Sequence, residues 1–152
     1  MRCLIYTVLL ASLVSTHAFA NYNDTVSGSQ SASVESGSVT LNLNATGDLP
    51  GVINLTIRHE AGNVNGGTWK LKVLPPNADA TSNETGTLTG TFTGGTMTLD
   101  ANGIASAVSA VQLTVQSGTG QFESVTSGNG TLTLSVDPEN STKLGGPLAL
   151  SF

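Results

Sequence analysis

The chain has 152 residues, enough for one domain, and a formal net charge of −5 with only 10% charged residues. That acidic balance excludes nucleic acid and anionic membrane surfaces as natural partners, because both recruit cationic patches. A single cysteine, Cys3, rules out a disulfide framework within the chain.

Residues 1–20 carry a basic Arg2, an apolar run from Cys3 to Val14 and a final Ala18-Phe19-Ala20. This is the pattern of a signal peptide with an A-x-A cleavage site. The apolar run is shorter than the roughly 20 residues of a membrane span. Cleavage after Ala20 predicts a secreted or periplasmic chain that begins at Asn21, keeps no cysteine and loses the positive charge of Arg2. Residues 21–37 are rich in serine and poor in apolar side chains, and read as a flexible leader or a loosely attached first strand. A single all-β domain is predicted over residues 38–152.

Val39, Leu41 and Leu43 alternate with polar neighbours, and residues 44–51 form a turn cluster. Ile53, Leu55, Ile57 and His59 share one face of the next strand, while Asn54, Thr56, Arg58 and Glu60 share the other. Residues 61–67 read as a loop. Trp69, Leu71 and Val73 then point inward and Lys70 and Lys72 outward. Charge pairing favours a hairpin register with Glu60 opposite Lys70. Pro75-Pro76 ends the strand, and residues 77–84 form a polar loop.

Residues 86–137 hold the densest signal, with Thr, Leu and Val alternating between glycines. Leu88 and Phe92 mark one strand, and Met97 and Leu99 a second. Residues 100–103 make a turn, and residues 104–110 suit a strand or a short helical turn. Val111, Leu113 and Val115 mark the next strand. Phe122 and Val125 mark a short one, and Leu132, Leu134 and Val136 another. Leu148, Leu150 and Phe152 close the chain. No stretch holds helical period. About eight to nine short antiparallel strands predict a β-barrel, with a β-sandwich as the alternative.

Within this block, Gly118-Thr119-Gly120-Gln121-Phe122, followed by Gly128 and Gly130, resembles the GGTG-x-F…G phrase of the allene oxide cyclase-like and dirigent-like barrels. The resemblance implies an eight-stranded antiparallel barrel with a central cavity, with Gly118, Gly120, Phe122, Gly128 and Gly130 as its turn and plug. Glycine permits positive φ in a sharp turn, and a large ring fills the barrel end. Ser117 stands where the phrase has its first glycine, and no catalytic residue of those proteins has a counterpart here. The resemblance therefore implies a fold and carries no activity.

Among candidate site residues, His59 is the only histidine after the leader, and inward parity places it on the strand adjacent to that of Trp69. The pair is the predicted ligand contact at a barrel mouth, where a polar tip and an aromatic face meet a small apolar molecule. No second histidine or cysteine supports a metal, and no cofactor motif occurs. The acidic residues fall mostly in turns. Asp100-x-Asn102-Gly103 lacks the other ligands of a calcium loop. Thr85, Thr87, Thr89, Thr91 and Thr93 alternate on one face, as on ice-binding surfaces. N-x-[ST] sequons occur at Asn23, Asn44, Asn54, Asn83, Asn129 and Asn140. The reading is a secreted, non-enzymatic barrel with a binding or structural role. The alternatives are a barrel cyclase or isomerase acting on a small apolar substrate, and an extracellular surface, adhesive or ice-binding protein.

Overall fold

The computed structural model describes residues 19–35, 37–78, 83–100 and 105–152. The leader up to residue 18 and the turn predicted at 101–103 lie outside the described residues. Among those described, all regular structure is strand: β1 (Asn21–Glu35), β2 (Ser38–Gly47), β3 (Gly51–Glu60), β4 (Asn63–Val73), β5 (Gly86–Thr93), β6 (Thr96–Leu99), β7 (Ala105–Gly120), β8 (Gly128–Asp137) and β9 (Asn140–Ser151).

Each strand pairs antiparallel with its neighbours in the order β1-β2-β3-β4-β5-β7-β8-β9, and β9 returns to β1. The result is a closed eight-stranded barrel with one extra strand. That extra strand, β6, continues the line of β5. Thr93 pairs with Gln112 and Thr96 with Ser109, three residues further along on each strand. Gly94 and Gly95, at φ of 68° and 92°, kink the stave between the two pieces.

Alternation decides which side chains fill the barrel. Leu41, Leu43, Ile53, Leu55, Ile57, Leu71, Leu88, Phe92, Leu113, Leu132 and Leu134 are almost fully buried, and they join one hydrophobic cluster. Each such side chain contributes roughly 1.5–3 kcal/mol on leaving water. Two large rings fit because the residue opposite each is glycine. Trp69 faces Gly90, and Phe92 faces Gly67. A Cβ on Gly90 would stand 2.8 Å from the indole nitrogen, and one on Gly67 would stand 2.4 Å from the Phe92 ring. The outer wall carries Thr, Ser, Asn and Lys, with hydroxyl pairs such as Thr89–Ser117 and Thr96–Ser109 at 2.8 Å. This apolar-in, polar-out pattern is the reverse of a lipid-facing barrel. No described helix is long and apolar enough to cross a membrane.

Several local expectations are corrected. Of the two readings of residues 21–37, the first strand holds and the leader does not: residues 21–35 form β1, bonded to β2 on one side and β9 on the other rather than loosely attached. The domain therefore takes in this stretch. Most of the loop expected at 61–67 belongs to β4, and only Ala61 and Gly62 turn. Glu60 faces Asn63 and Lys70 faces Asn54, so the Glu60–Lys70 register does not form. Apolar contacts of Ile53, Leu55 and Ile57 with the β4 interior outweigh one exposed charge pair worth well under 1 kcal/mol. Of the strand and helical turn left open at 104–110, the strand holds: residues 105–110 are the start of β7. Phe122 lies in the β7–β8 turn and Val125 in the connection after it, so they do not form a strand of their own.

Candidate functional site

One end of the barrel gathers the start of β1, the end of β9, and the β2–β3 and β7–β8 connections. The β7–β8 turn is built from its glycines. Gly120 adopts φ of 61°. The turn closes through Phe122 N–H to Thr119 O (3.2 Å), Glu123 N–H to Gly120 O (3.1 Å) and Val125 N–H to Phe122 O (2.9 Å). Gln121 N–H crosses to Thr85 O at 3.1 Å, tying the turn to the start of β5. The Phe122 ring, 7% exposed, then drops between two glycines. A Cβ on Gly86 would lie 2.8 Å from the ring, and one on Gly118 would lie 2.7 Å from Phe122 Cβ.

Phe152 meets this ring edge-on at 5.9 Å and 89°, and Tyr22 stacks on Phe152 at 4.7 Å and 18°. Gly128 and Gly130 leave room for the end of β9: Cβ atoms there would come within 2.7 Å of Phe152 and Leu150. The three rings and Leu49 floor a cleft of about 850 Å³. Its remaining wall includes Gln121, Ser124, Thr126 and Ser127, and Phe19, 58% exposed, stands at its lip. No charged side chain lines it. Such a site suits an uncharged molecule with an apolar face and a few hydroxyl or carbonyl groups.

Beside the cleft, two carboxylates lock β1 to the β2–β3 connection. Asn23 N–H donates to Asp48 Oδ2 at 2.8 Å, and Leu49 N–H donates to Asp24 Oδ1 at 2.9 Å. Asp24 is 5% exposed, and its Oδ2 has no hydrogen-bond partner. Burial pushes its carboxyl above the usual range, the Leu49 amide pulls it back, and the Asp48 charge adds to the rise. Two neighbouring acids with unlike environments resemble an acid–base pair. Neither lines the cleft, however, so their geometry serves the clasp. Among the described residues, no three His, Cys, Asp or Glu side chains converge as a metal would need.

His59 and Trp69 lie elsewhere. Both face inward on adjacent strands, but Trp69 is opposite Leu55, and His59 lies four residues further along β3, about 13 Å of strand. Trp69 is 2% exposed and donates its indole N–H to Thr91 O at 3.1 Å. His59 belongs to the end opposite Phe122, where its backbone N–H bonds Gly37 O at 2.9 Å. Both of its ring nitrogens are buried without a partner. Neither residue lines the aromatic cleft. Of the cleft residues the sequence singled out only Phe122; among the apolar ones, Tyr22, Leu49 and Phe152 were not marked. They come from three distant stretches of the chain.

No family of known proteins matches the chain, and neither does any curated protein or solved structure.

Proposed function

We propose that this chain is an exported, non-enzymatic barrel that binds a small uncharged molecule in the aromatic cleft at the Phe122 end. The cleft itself carries the reading. It is a concavity with three convergent rings, four neutral polar side chains and no charged side chain. The interior is packed with aliphatic side chains along its staves. This favours a site at the rim over a reaction chamber inside the barrel, and so favours binding over a cyclase or isomerase. Export rests on the leader pattern of residues 1–20.

The test is amide chemical-shift mapping with a panel of neutral glycosides and alcohols beside charged counterparts of equal size. Neutral compounds should perturb residues 121–127, Tyr22 and Phe152. Shifts confined to the His59 end, or equal binding of charged compounds, would overturn the assignment.

One observation favours a second reading, a surface protein acting through its outer wall. Thr40, Thr56, Thr68, Thr91 and Thr114 are successive register partners, so one threonine row crosses five neighbouring strands. If that row works on ice or another ordered surface, Thr68→Lys abolishes the activity while Tyr22→Ala leaves it intact.

A further inference from the structure

Leu49 lines the cleft from residues 48–50, the connection between β2 and β3. Two ties of that connection to β1 run through carboxylates. Leu49 N–H donates to Asp24 Oδ1 at 2.9 Å, and Asp48 Oδ2 accepts from Asn23 N–H at 2.8 Å. Backbone bonds add Asp48 N–H to Asn23 O at 3.3 Å and Leu74 N–H to Pro50 O at 2.8 Å. Asp24 itself points inward, one step below Tyr22 on the inner face of β1, about 7 Å along the strand. Gly47 stands opposite it on β2 and Leu148 on β9. A Cβ at position 47 would come within 2.8 Å of Asp24 Oδ1, so the carboxyl fills the space that this glycine leaves. Asp24 is 5% exposed, and its Oδ2 is buried without a partner.

Resting on the end-cleft reading above, we infer that Asp24 is a proton-operated latch on the cleft wall: with a proton it holds Leu49 in place for a neutral ligand, and without one it releases residues 48–50. An ionised carboxylate offers about four acceptor sites, and the Leu49 amide fills one. A buried charge so poorly satisfied costs far more than a buried neutral carboxyl. No neighbour offsets it. Asp48 is the charge that acts on the group, with the same sign; β2 and β9 face it with Gly47 and Leu148, its inner-face neighbours on β1 are Tyr22 and Val26, and the cleft lining holds no charge. Burial is the largest influence and favours the neutral form, the Leu49 bond pulls the other way, and Asp48 pushes with burial. The ionised Oδ2 needs water, and a cover must part to admit it. β1 and β9 are bonded along both sides, so the connection is the cover that yields. A ligand resting on Tyr22, Phe152 and Leu49 closes that route again. Its binding is therefore coupled to uptake of a proton, and affinity falls as pH rises, by no more than about tenfold per pH unit because one group titrates.

The experiment takes two readouts on the exported protein between about pH 4 and 6.5, where an α-amino group left on Asn21 by cleavage stays charged. One needs no ligand: amide hydrogen exchange at Leu49, corrected for intrinsic rate, with Leu132 in β8 as the reference for global opening. The other is calorimetric affinity for phenyl glucoside, which is neutral throughout. Leu49 protection should fall about fivefold or more as pH rises, and by more than that of Leu132. Phenyl glucoside affinity should fall alongside it. Asp24→Asn should make both profiles flat. Asp48→Asn keeps an acceptor for Asn23 N–H and removes the neighbouring charge, so it should move the fall to lower pH. Flat Leu49 protection in the wild type, or parallel losses at Leu49 and Leu132, overturns the latch even where a variant fails to fold. So does a pH slope that survives Asp24→Asn, or one that vanishes in His59→Ala. If Leu49 is released as expected while phenyl glucoside binds equally at every pH, the coupling is overturned and the end-cleft reading survives. If phenyl glucoside and the neutral alcohols bind nowhere, the end-cleft reading and the coupling fall together, and the Leu49 profile still decides the latch.

Discussion

Replacing Phe122 with alanine tests whether the aromatic end holds the barrel shut. The ring is 7% exposed. A buried phenylalanine removes roughly 200 Å² from water, which at about 25 cal/mol per Å² sets an upper figure of about 5 kcal/mol. Alanine keeps part of that area, and measured truncations of this kind cost about 3–5 kcal/mol. The edge-on contact with Phe152 is lost too, worth about 1 kcal/mol. Phe152 stands at a strand end and can lean into the space, which offsets some of the cavity. The expected loss is therefore about 3–4 kcal/mol, with Phe122→Leu falling between alanine and wild type. Urea unfolding followed by fluorescence reads it directly, because Trp69 is the only tryptophan and is 2% exposed in the folded barrel. The surface variant Gln121→Ala on the same turn should cost less than about 0.5 kcal/mol. A loss below about 1 kcal/mol for Phe122→Ala, or equal losses for the two variants, would show that the ring does not plug the end.

Asp24→Asn keeps an acceptor for Leu49 N–H and removes a buried charge, so at neutral pH it should be more stable than wild type by about 1 kcal/mol. The sign follows from the raised carboxyl. Between its unfolded value, about 3.9, and its higher folded value, the native state holds the proton that the unfolded state has lost. Wild-type stability from this group therefore falls as pH rises through that window. The gap in melting temperature between variant and wild type should widen from about pH 4 upward, and a gap independent of pH would refute the account. Gly90→Ala puts a Cβ 1.8 Å from Thr114 O and 2.8 Å from the Trp69 indole nitrogen. It should cost about 3 kcal/mol or more, or leave the protein insoluble; a normal urea midpoint would sink this packing argument. His59→Ala separates the two ends of the barrel: with the ligand at the Phe122 end, binding by calorimetry should be unchanged, and a tenfold loss would move the site to the His59 end. Intact mass of exported protein should correspond to a chain starting at Asn21, and a mass including Met1 would refute cleavage of the leader.

The clasp gives the cleft a fixed wall. Leu49 lines the cleft, and its backbone is held by Asp24 from β1, while Asp48 holds Asn23 in return. The β2–β3 connection thus stays in place without disulfides. Tyr22 lies next to Asn23 on the same strand, so the ring that stacks on Phe152 is also positioned by this pair of carboxylates.

The sequence by itself determined the class of fold and most of the interior. Period-two alternation in residues 39–43, 53–59, 69–73, 111–115 and 132–136 is a local property, and it named the inward side chains correctly wherever it ran unbroken. The glycine phrase at 118–122 also marked Phe122, because Gly120 takes positive φ there and a Cβ on Gly118 would collide with Phe122. Tertiary structure decided the rest, for reasons that are not local. The serines of β1 have no strong preference for a strand, and residues 21–35 become one because β2 and β9 offer hydrogen-bonding partners on both sides. The level of His59 relative to Trp69, and the partner of Glu60, depend on register, which the packing of whole inner faces sets over any single charge pair. The cleft draws Tyr22, Leu49, Phe122 and Phe152 from positions up to 130 residues apart. They meet only because ring closure brings β1 beside β9, a pairing that no window of sequence can contain.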